Sequence, residues 1–305
     1  MNKLKKSVVV ALLAALCAAA WAASREELLL HAVKTSDMNI LQEALNQGAN
    51  PNYTDASGKT ALMYACEKMW YEGVVTLLEK GAHVEIKNKT DGKTAIMYAA
   101  QGKPMIVQKL IEEMANINAK DFERKTALMY AIEDENNNVI DLLLRQGADC
   151  LATDSYGNTV AMYAVRYKNR ALLRELVENP LIDWNKTNNK DVSPFILACR
   201  YGDINIVALL LQKAPIDVFA YNAIGRPILI QLLADKISPN IIKCIMEYCN
   251  PEEILSMTDH EGHDIKYWAE KQGYENILMR LYDYEIEKKE SRQKRAYSKS
   301  IRRNF

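Results

Sequence analysis

The stretch GKTALMYACEK begins at Gly58 and returns almost unchanged at Gly92 as GKTAIMYAAQG. A Gly-Lys-Thr triplet ends the P-loop of many nucleotide-binding proteins, so both copies raise the question of a phosphate site. A P-loop also needs a glycine five residues earlier, where this chain has Tyr53 and Lys87, and an apolar strand in front of it, which neither copy has. We therefore interpret the two stretches as copies of a repeat and not as nucleotide-binding loops.

Looser copies of the same phrase recur along the chain at a regular spacing. They are ELLLHAV, KTALMYA, NTVAMYA, VSPFILA, RPILIQL and HDIKYWA, aligned on Glu27, Thr126, Thr159, Ser193, Arg226 and Asp264. With Thr60 and Thr94 included, the anchors are separated by 33, 34, 32, 33, 34, 33 and 38 residues. A period near 33 residues predicts a stack of short structural units.

This repeat resembles the ankyrin repeat. The phrase T-A-L-M-Y-A is similar to the ankyrin phrase T-P-L-H-x-A, and an Asp-x-x-Gly turn precedes it at residues 55–58, 154–157 and 259–262. Apolar runs such as VVTLLEKGA and VIDLLLRQGAD follow it. The resemblance implies an all-α fold, an ankyrin-repeat solenoid of about eight helix-turn-helix repeats with β-turn connections.

Individual side chains agree with this interpretation. Threonine precedes the first helix of four repeats as a predicted N-cap, and the glycine before it permits a positive φ; these threonines are Thr60, Thr94, Thr126 and Thr159. Small residues are expected where neighbouring repeats approach, at Ala65, Ala99, Ala131 and Ala164. Left-handed glycines are expected to end second helices at Gly48, Gly81 and Gly147.

Two recurring positions and one repeat depart from the family pattern. Methionine stands where ankyrins usually have a hydrogen-bonding histidine, at Met63, Met97, Met129 and Met162. Methionine fills space but cannot donate, so we expect a stack held more by packing than by a polar ladder. The tyrosines at 64, 98, 130 and 163 form a parallel ladder that we interpret as core packing. Residues 226–258 fit the pattern worst, because Gln231 stands where alanine is expected.

The N-terminus has the features of a signal peptide. MNKLKK is followed by 16 uncharged residues, 8–23, that end on Ala20-Trp21-Ala22, a small-x-small cleavage site. We expect cleavage after Ala22 or Ala23 and a periplasmic or secreted protein. A membrane span needs about 20 apolar residues, so an uncleaved anchor is the alternative and not the first interpretation. A lipoprotein is disfavoured because Leu16 precedes Cys17.

Charge is unevenly distributed. Removal of residues 1–23 leaves 36 basic and 39 acidic residues, a net charge of −3. Residues 285–305, here called the basic tail, hold eight basic and three acidic residues, so residues 24–284 carry −8. An acidic body argues against a nucleic-acid partner. The chain is thus divided into a signal peptide (1–23), an ankyrin repeat solenoid (24–284) and the basic tail (285–305).

Five cysteines remain after the predicted cleavage: Cys66, Cys150, Cys199, Cys244 and Cys249. Cys66 and Cys199 are four repeats apart, about 40 Å at the usual spacing of packed helices, and a disulfide needs Cα atoms within about 7 Å. Cys244 and Cys249 point about 140° apart on one helix. We therefore expect small, buried, apolar cysteines.

No catalytic motif is present. His260-Glu-Gly-His263 is the one histidine cluster, and the sequence indicates no third ligand near it, whereas zinc sites need three or four. A nucleophile elbow, an HExxH helix and a paired-carboxylate arrangement are all missing from the sequence. We predict a monomer without enzyme activity, cofactor or metal.

The resemblance to ankyrin repeats implies a concave surface that binds another protein through turn tips and the exposed end of each first helix. The matching positions are Lys59, Lys68, Lys93, Phe122, Lys125, Tyr156, Arg166, Tyr167, Arg200 and Tyr201. VRYKN in one repeat becomes CRYGD in the next, and paired arginine and tyrosine are typical of binding hot spots. A solvated surface with incidental aromatics is the alternative.

Two other functions stay open from the sequence. The basic tail could bind anionic lipid, cell-wall polymer or nucleic acid, but plain solubilisation or a frayed helical extension is the simpler interpretation of it. A redox-protective role for the methionines and thiols is disfavoured, because these residues are expected to be buried.

Overall fold

The structure is a computed structural model of the chain and describes residues 25–303, with side chains up to residue 291. The predicted signal peptide therefore lies outside the described residues. Within them the regular structure is helical, apart from three isolated antiparallel bridges. The chain divides into two compact units, one ending at Tyr156 and the other beginning at Gly157.

Each repeat contributes two helices. The first helices are α1 (residues 25–35), α3 (Ala61–Glu67), α5 (Ala95–Ala99), α7 (Ala127–Glu133), α9 (Val160–Arg166), α11 (Pro194–Tyr201), α13 (Ile228–Ala234) and α16 (Ile265–Lys271). The second helices are α2 (Met38–Asn46), α4 (Tyr71–Glu79), α6 (Pro104–Glu112), α8 (Asn137–Arg145), α10 (Arg170–Leu176), α12 (Ile204–Lys213), α14 (Pro239–Tyr248) and α17 (Glu275–Arg303). An additional short helix, α15 (Pro251–Ser256), follows α14. The predicted all-α fold of helix-turn-helix repeats is confirmed.

Like helices pack on like helices in each unit. In the first unit α3 contacts α5 and α5 contacts α7, while α4 lies between α2 and α6. In the second unit α9, α11 and α13 follow one another, and α16 packs on α13 and α17. The predicted contact alanines are fully buried at Ala65, Ala99, Ala131 and Ala164. Their small size lets neighbouring first helices approach closely.

Three of the four predicted threonine caps are confirmed. The hydroxyls of Thr60, Thr126 and Thr159 accept hydrogen bonds from the backbone N–H three residues later. Thr94 is the exception: its Oγ1 is buried, makes no cap bond, and has no hydrogen-bond partner among the described residues. The prediction is wrong there, and α5 is the shortest of the first helices.

The opening glycine, Gly58, stands at a turn that cannot accommodate a side chain. Its φ is +82°, and an added Cβ would lie 2.6 Å from the backbone nitrogen of Lys89 in the next repeat. That nitrogen donates to the carbonyl of Ser57, so neighbouring turns are joined through their backbones. Arg124 adopts the same left-handed conformation at the equivalent position of a later turn, with φ +61°.

The repeat that fits the pattern worst is shifted by one residue relative to the sequence-based alignment. Isolated bridges pair Thr54 with Thr60 and Tyr221 with Pro227, so Pro227 and not Arg226 is the equivalent of Thr60. Gln231 therefore takes the tyrosine position of the repeat, and Leu232 takes the alanine position. The long spacing to the last repeat accommodates α15.

The cysteines only partly follow the expectation of burial. Cys66, Cys199 and Cys244 are free and buried, Cys249 is free and half-buried, and Cys150 is half-buried. Burial raises the pKa of the Cys66 and Cys199 thiols, so both stay protonated at neutral pH.

The last helix passes through the start of the basic tail without a break. α17 runs from Glu275 to Arg303, and Glu285 forms an ion pair with Lys266 at 2.7 Å. None of the described helices combines the length and the apolar character needed to cross a membrane.

Candidate functional site

A row of lysines and tyrosines runs across the repeats of the first unit, and we call it the cation–aromatic ladder. Nζ of Lys59 lies 4.5 Å from the ring centroid of Tyr64 in its own repeat and 4.5 Å from that of Tyr98 in the next. Nζ of Lys93 lies 5.6 Å from Tyr98 and 4.4 Å from Tyr130. Each cation therefore interacts with an aromatic face of the following repeat.

The tyrosine hydroxyls of the ladder are bound to the turns. Tyr64 donates to Oδ2 of Asp55 at 2.7 Å, and Tyr130 donates to Oδ2 of Asp121 at 2.6 Å. Both pairs are nine residues apart in sequence, a spacing that could have revealed them. The interpretation of the tyrosines as packing residues is thus incomplete, because their polar ends also hold the turn against the helix.

Ion pairs complete the surroundings of the lysines. Lys59 pairs with Glu67 at 2.8 Å, and Lys125 pairs with Glu133 at 2.9 Å. Lys59 was predicted among the exposed positions of the binding surface, but it is only 9% exposed. Its ammonium group lies over two tyrosine rings and is paired with a carboxylate.

These contacts also set the protonation of the ladder. Burial and the neighbouring Asp55 carboxylate raise the pKa of Tyr64 to about 12, and burial together with the charge of Asp91 raises the pKa of Tyr98 to about 12. Burial and the hydrogen bond to Asp121 also raise the pKa of Tyr130. The rings stay neutral donors over the physiological range.

Two aromatic side chains project from successive turn tips at the end of the first unit. Phe122 is 62% exposed and Tyr156 is 55% exposed. The backbone of Phe122 donates to the carbonyl of Asp91, and Ser155 donates to that of Glu123 at 2.7 Å. The exposed rings therefore stand on turns that are fixed to each other. Lys68, also predicted, is exposed at the end of α3.

The predicted Arg-Tyr pairs lie in the second unit, at the ends of α9 and α11. Arg166 lies over the ring of Tyr163 at 5.8 Å, and Tyr167 stacks on the same ring at 6.5 Å. Tyr201 is 46% exposed. It borders a groove of about 540 Å³ that also contains Arg200.

Arg200 is held by contacts that the sequence analysis missed. Its guanidinium pairs with Asp235 at 2.8 Å, and Gln231 donates to the same carboxylate. Asn222 donates in turn to Gln231 at 3.1 Å. In the same unit the guanidinium of Arg226 lies 4.5 Å from the ring centroid of Trp268 in the next repeat, the same relationship that Lys59 has to Tyr98.

The last repeat brings together three side chains that could hold a metal ion. One ligand atom each from Asp259, Glu261 and His263 lie within 4.8 Å of one another. Asp259 and Glu261 thus stand beside His263 as candidate ligands that the sequence did not indicate, whereas His260 does not join the group.

The matched family model is described as ankyrin repeats in three copies. It matches five overlapping segments, residues 3–88, 29–121, 71–154, 97–191 and 128–222.

Curated relatives agree with this match. A protein of Acanthamoeba polyphaga mimivirus described as an ankyrin repeat protein is 24% identical over 245 residues, 78% of this chain and 29% of the relative. One from Rickettsia bellii is 28% identical over 193 residues, 57% of this chain and 51% of the relative. Inversin of Homo sapiens is 30% identical over 203 residues, 64% of this chain and 19% of inversin. The chain thus spans between 19% and 51% of the length of these relatives.

Proposed function

The chain belongs to the ankyrin repeat family, and from that premise we propose that it is an exported, non-catalytic module that binds another protein. Recognition occurs through turn tips and through the exposed ends of first helices, the surface that ankyrin repeats present as concave. The main support is the pair of exposed rings of Phe122 and Tyr156 on hydrogen-bonded turns. Rigid aromatic side chains gain contact area at little entropic cost, which suits them as anchors.

The other predicted residues divide between contact and support. Lys68 and Tyr201 are exposed and available for contact. Lys59, Lys93 and Lys125 are held in the cation–aromatic ladder, where they shape the surface beneath the turn tips. The ring of Phe122 covers Gly92 of the preceding turn, which limits its freedom before binding.

Site-specific photocrosslinking tests this surface and captures the partner in the same step. A photoreactive residue is placed at 122 or at 201, and matched controls carry it at the exposed second-helix positions Met105 and Tyr248. We expect one partner to be captured from positions 122 or 201 in the producing cells, and no adduct from the controls. Adducts that form equally from the control positions would contradict recognition by the turn tips.

A substitution measures the contribution of the aromatic tip directly. With the partner identified by crosslinking, Phe122→Ala combined with Tyr156→Ala should weaken its binding by about 2 kcal/mol or more. The pair Met105→Ala and Met114→Ala removes similar exposed area elsewhere and should leave binding unchanged. Calorimetric titration of each variant against the purified partner provides the comparison.

Export is the second part of the proposal. It is supported by the charged start, the apolar run at residues 8–23 and the small residues at its end. N-terminal sequencing of the protein from its native cells should give Ala23 or Ser24 as the first residue. A mature chain that begins at Met1 in the cytoplasmic fraction would remove export from the proposal.

Two alternatives have observations of their own. α17 carries the basic tail as a continuous helix to Arg303, and salt-sensitive binding to anionic vesicles that is lost on truncation after Tyr284 would favour a tail function.

Met69, Met105, Met114 and Met279 are exposed, contrary to the expectation of buried methionines. Their preferential oxidation in peroxide-stressed cells, with reversal on recovery, would favour a protective role.

A further inference from the structure

The position of the ladder cation varies between repeats: lysine or arginine stands there in four (Lys59, Lys93, Lys125 and Arg226), Asn158 and Val192 in two others, and an imidazole in the last. Lys59 and Arg226 carry a permanent positive charge at this position, and each lies over an aromatic ring of the following repeat. The equivalent residue of the last repeat is His263, whose backbone carbonyl accepts from Asp259 as that of Lys59 does from Asp55. In the last repeat the side chain at this position is an imidazole that lies beside two carboxylates.

Two carboxylates surround this imidazole. Nδ1 of His263 lies 3.2 Å from Oε2 of Glu261 and 3.6 Å from Oδ2 of Asp259. No lysine or arginine of residues 25–291 forms an ion pair with either acid; the nearby Arg226 and Lys271 face the ring of Trp268 instead. The cluster thus has an excess of negative charge that a cation would neutralise.

Nδ1 of His263 is buried and has no hydrogen-bond partner among the described residues, although a carboxylate oxygen lies only 3.2 Å away. The two atoms are therefore close but not aligned for an N–H···O bond. Two ligand atoms that share a tetrahedral zinc ion at about 2.0–2.1 Å are themselves about 3.3 Å apart, and each points at the metal and not at the other. The separations of 3.2 and 3.6 Å match that arrangement.

The cluster is also preorganised. Oδ1 of Asp259 accepts the backbone N–H groups of Glu261 and His263, and Oδ2 accepts the indole N–H of Trp268 at 2.9 Å. The imidazole stacks on the ring of Tyr267 at 3.9 Å, which fixes its plane. In metal sites, surrounding groups usually hold the carboxylate and imidazole ligands in a fixed orientation. The contacts of Asp259 and His263 have this effect.

We propose that Asp259, Glu261 and His263 form a binding site for a divalent transition-metal cation such as Zn²⁺. One nitrogen and two carboxylate oxygens are donors that suit Zn²⁺ and its neighbours in the series. Water completes the coordination, since His263 remains 33% exposed and Glu261 is exposed. The site shares no residue with the proposed binding surface and lies in the second unit.

The test uses the tag-free mature chain with Zn²⁺ in calorimetric titration and with Co²⁺ in visible absorption. We expect one ion per chain and a Co²⁺ d–d spectrum. Glu261→Gln should weaken binding by about tenfold or more, and so should His263→Ala, because loss of a ligand costs at least as much as loss of its supporting bonds. Trp268→Phe, which removes the supporting N–H together with part of the buried indole ring, should weaken binding by about tenfold.

Histidine controls separate this site from incidental binding. His83→Ala in the first unit and His260→Ala beside the cluster should leave affinity unchanged. Because Glu261 is exposed, its variant should stay folded even where a change at His263 disturbs the repeat. Absence of stoichiometric binding, or binding that is lost with His260 and kept without His263, would overturn the proposal.

Discussion

Nζ of Lys59 lies 4.5 Å from the ring centroid of Tyr98, a residue of the following repeat. A buried charge thereby joins two repeats in a chain whose methionines, at the usual histidine position, cannot donate hydrogen bonds. The expectation of a stack held mainly by packing leaves out this link. Arg226 and Trp268 repeat the relationship in the second unit.

Replacement of Lys59 with methionine keeps the apolar stem but removes the charge. We expect the free energy of unfolding to fall by about 1–2 kcal/mol, because an ion pair and two largely desolvated cation–π contacts are lost. Lys68→Met, at an exposed position, should change it by less than about 0.5 kcal/mol. Urea unfolding monitored by circular dichroism measures both, and equal effects would contradict the structural role of the ladder.

Valine substitution distinguishes a threonine whose hydroxyl caps its helix from one whose hydroxyl makes no cap hydrogen bond. Thr126→Val removes the acceptor of the Met129 N–H and should cost about 1 kcal/mol. Thr94→Val removes a buried hydroxyl that has no partner among the described residues, so it should be neutral or stabilising. The test is the difference between the unfolding midpoints of the two variants. A loss of stability in Thr94→Val as large as that in Thr126→Val would contradict the absence of a hydrogen-bond partner for the Thr94 hydroxyl.

Two glycines with the same backbone conformation should respond differently to alanine. Gly81 has φ +84° and open space around the added Cβ. Gly81→Ala should therefore lower the free energy of unfolding by only about 1–2 kcal/mol, the cost of holding a residue with a side chain in the left-handed conformation. Gly58 has φ +82°, but its Cβ would meet the backbone nitrogen of Lys89 at 2.6 Å. Gly58→Ala should therefore lower the free energy of unfolding by about 1–3 kcal/mol more than Gly81→Ala does. Similar unfolding midpoints for the two variants would show that the turns can separate freely.

The turn carboxylate of Asp55 makes stability depend on pH. Burial alone would raise its pKa, but hydrogen bonds from Ser57, from the Tyr64 hydroxyl and from the Lys59 amide outweigh burial and lower the pKa from 3.8 to about 2. A folded pKa below the unfolded one stabilises the fold above about pH 4, and this contribution is lost as the pH falls towards 2.

We therefore expect Asp55→Asn to reduce the slope of unfolding free energy against pH between about 4 and 2. Asp141→Asn, on an exposed face of α8, should leave that slope as it is. Urea titrations at pH steps across this interval give the slopes, and an unchanged slope in Asp55→Asn would refute the assignment.

Local signals in the sequence were sufficient for much of the fold. Three threonine caps, the positive φ of Gly58 and the small alanines could be predicted because each depends on a few neighbouring residues. Other left-handed positions were missed, among them Met69, Glu135 and Lys168, which follow first helices. They are not glycines, and packing around the turn compensates the conformational cost of about 1–2 kcal/mol at each.

The candidate surface was predicted less completely than the fold. The exposure of Phe122, Tyr156 and Tyr201 agrees with the sequence-based mapping. The burial of Lys59 does not, because the sequence cannot show that a lysine lies between rings about one repeat apart. The engagement of Arg200 by Asp235 is another contact of this kind, since its partner lies 35 residues later.

By itself, the sequence determined the period of the repeat, its two-helix unit and the chemistry of its turns, because these follow from contacts within one unit. Only the tertiary structure decided which side chains from different repeats meet. It placed Lys59 over Tyr98, left the hydroxyl of Thr94 without a partner among the described residues, and gathered Asp259, Glu261 and His263 into one cluster. Such contacts depend on rotamers and on the distance between stacked units, and neither is encoded in the spacing of residues along the chain.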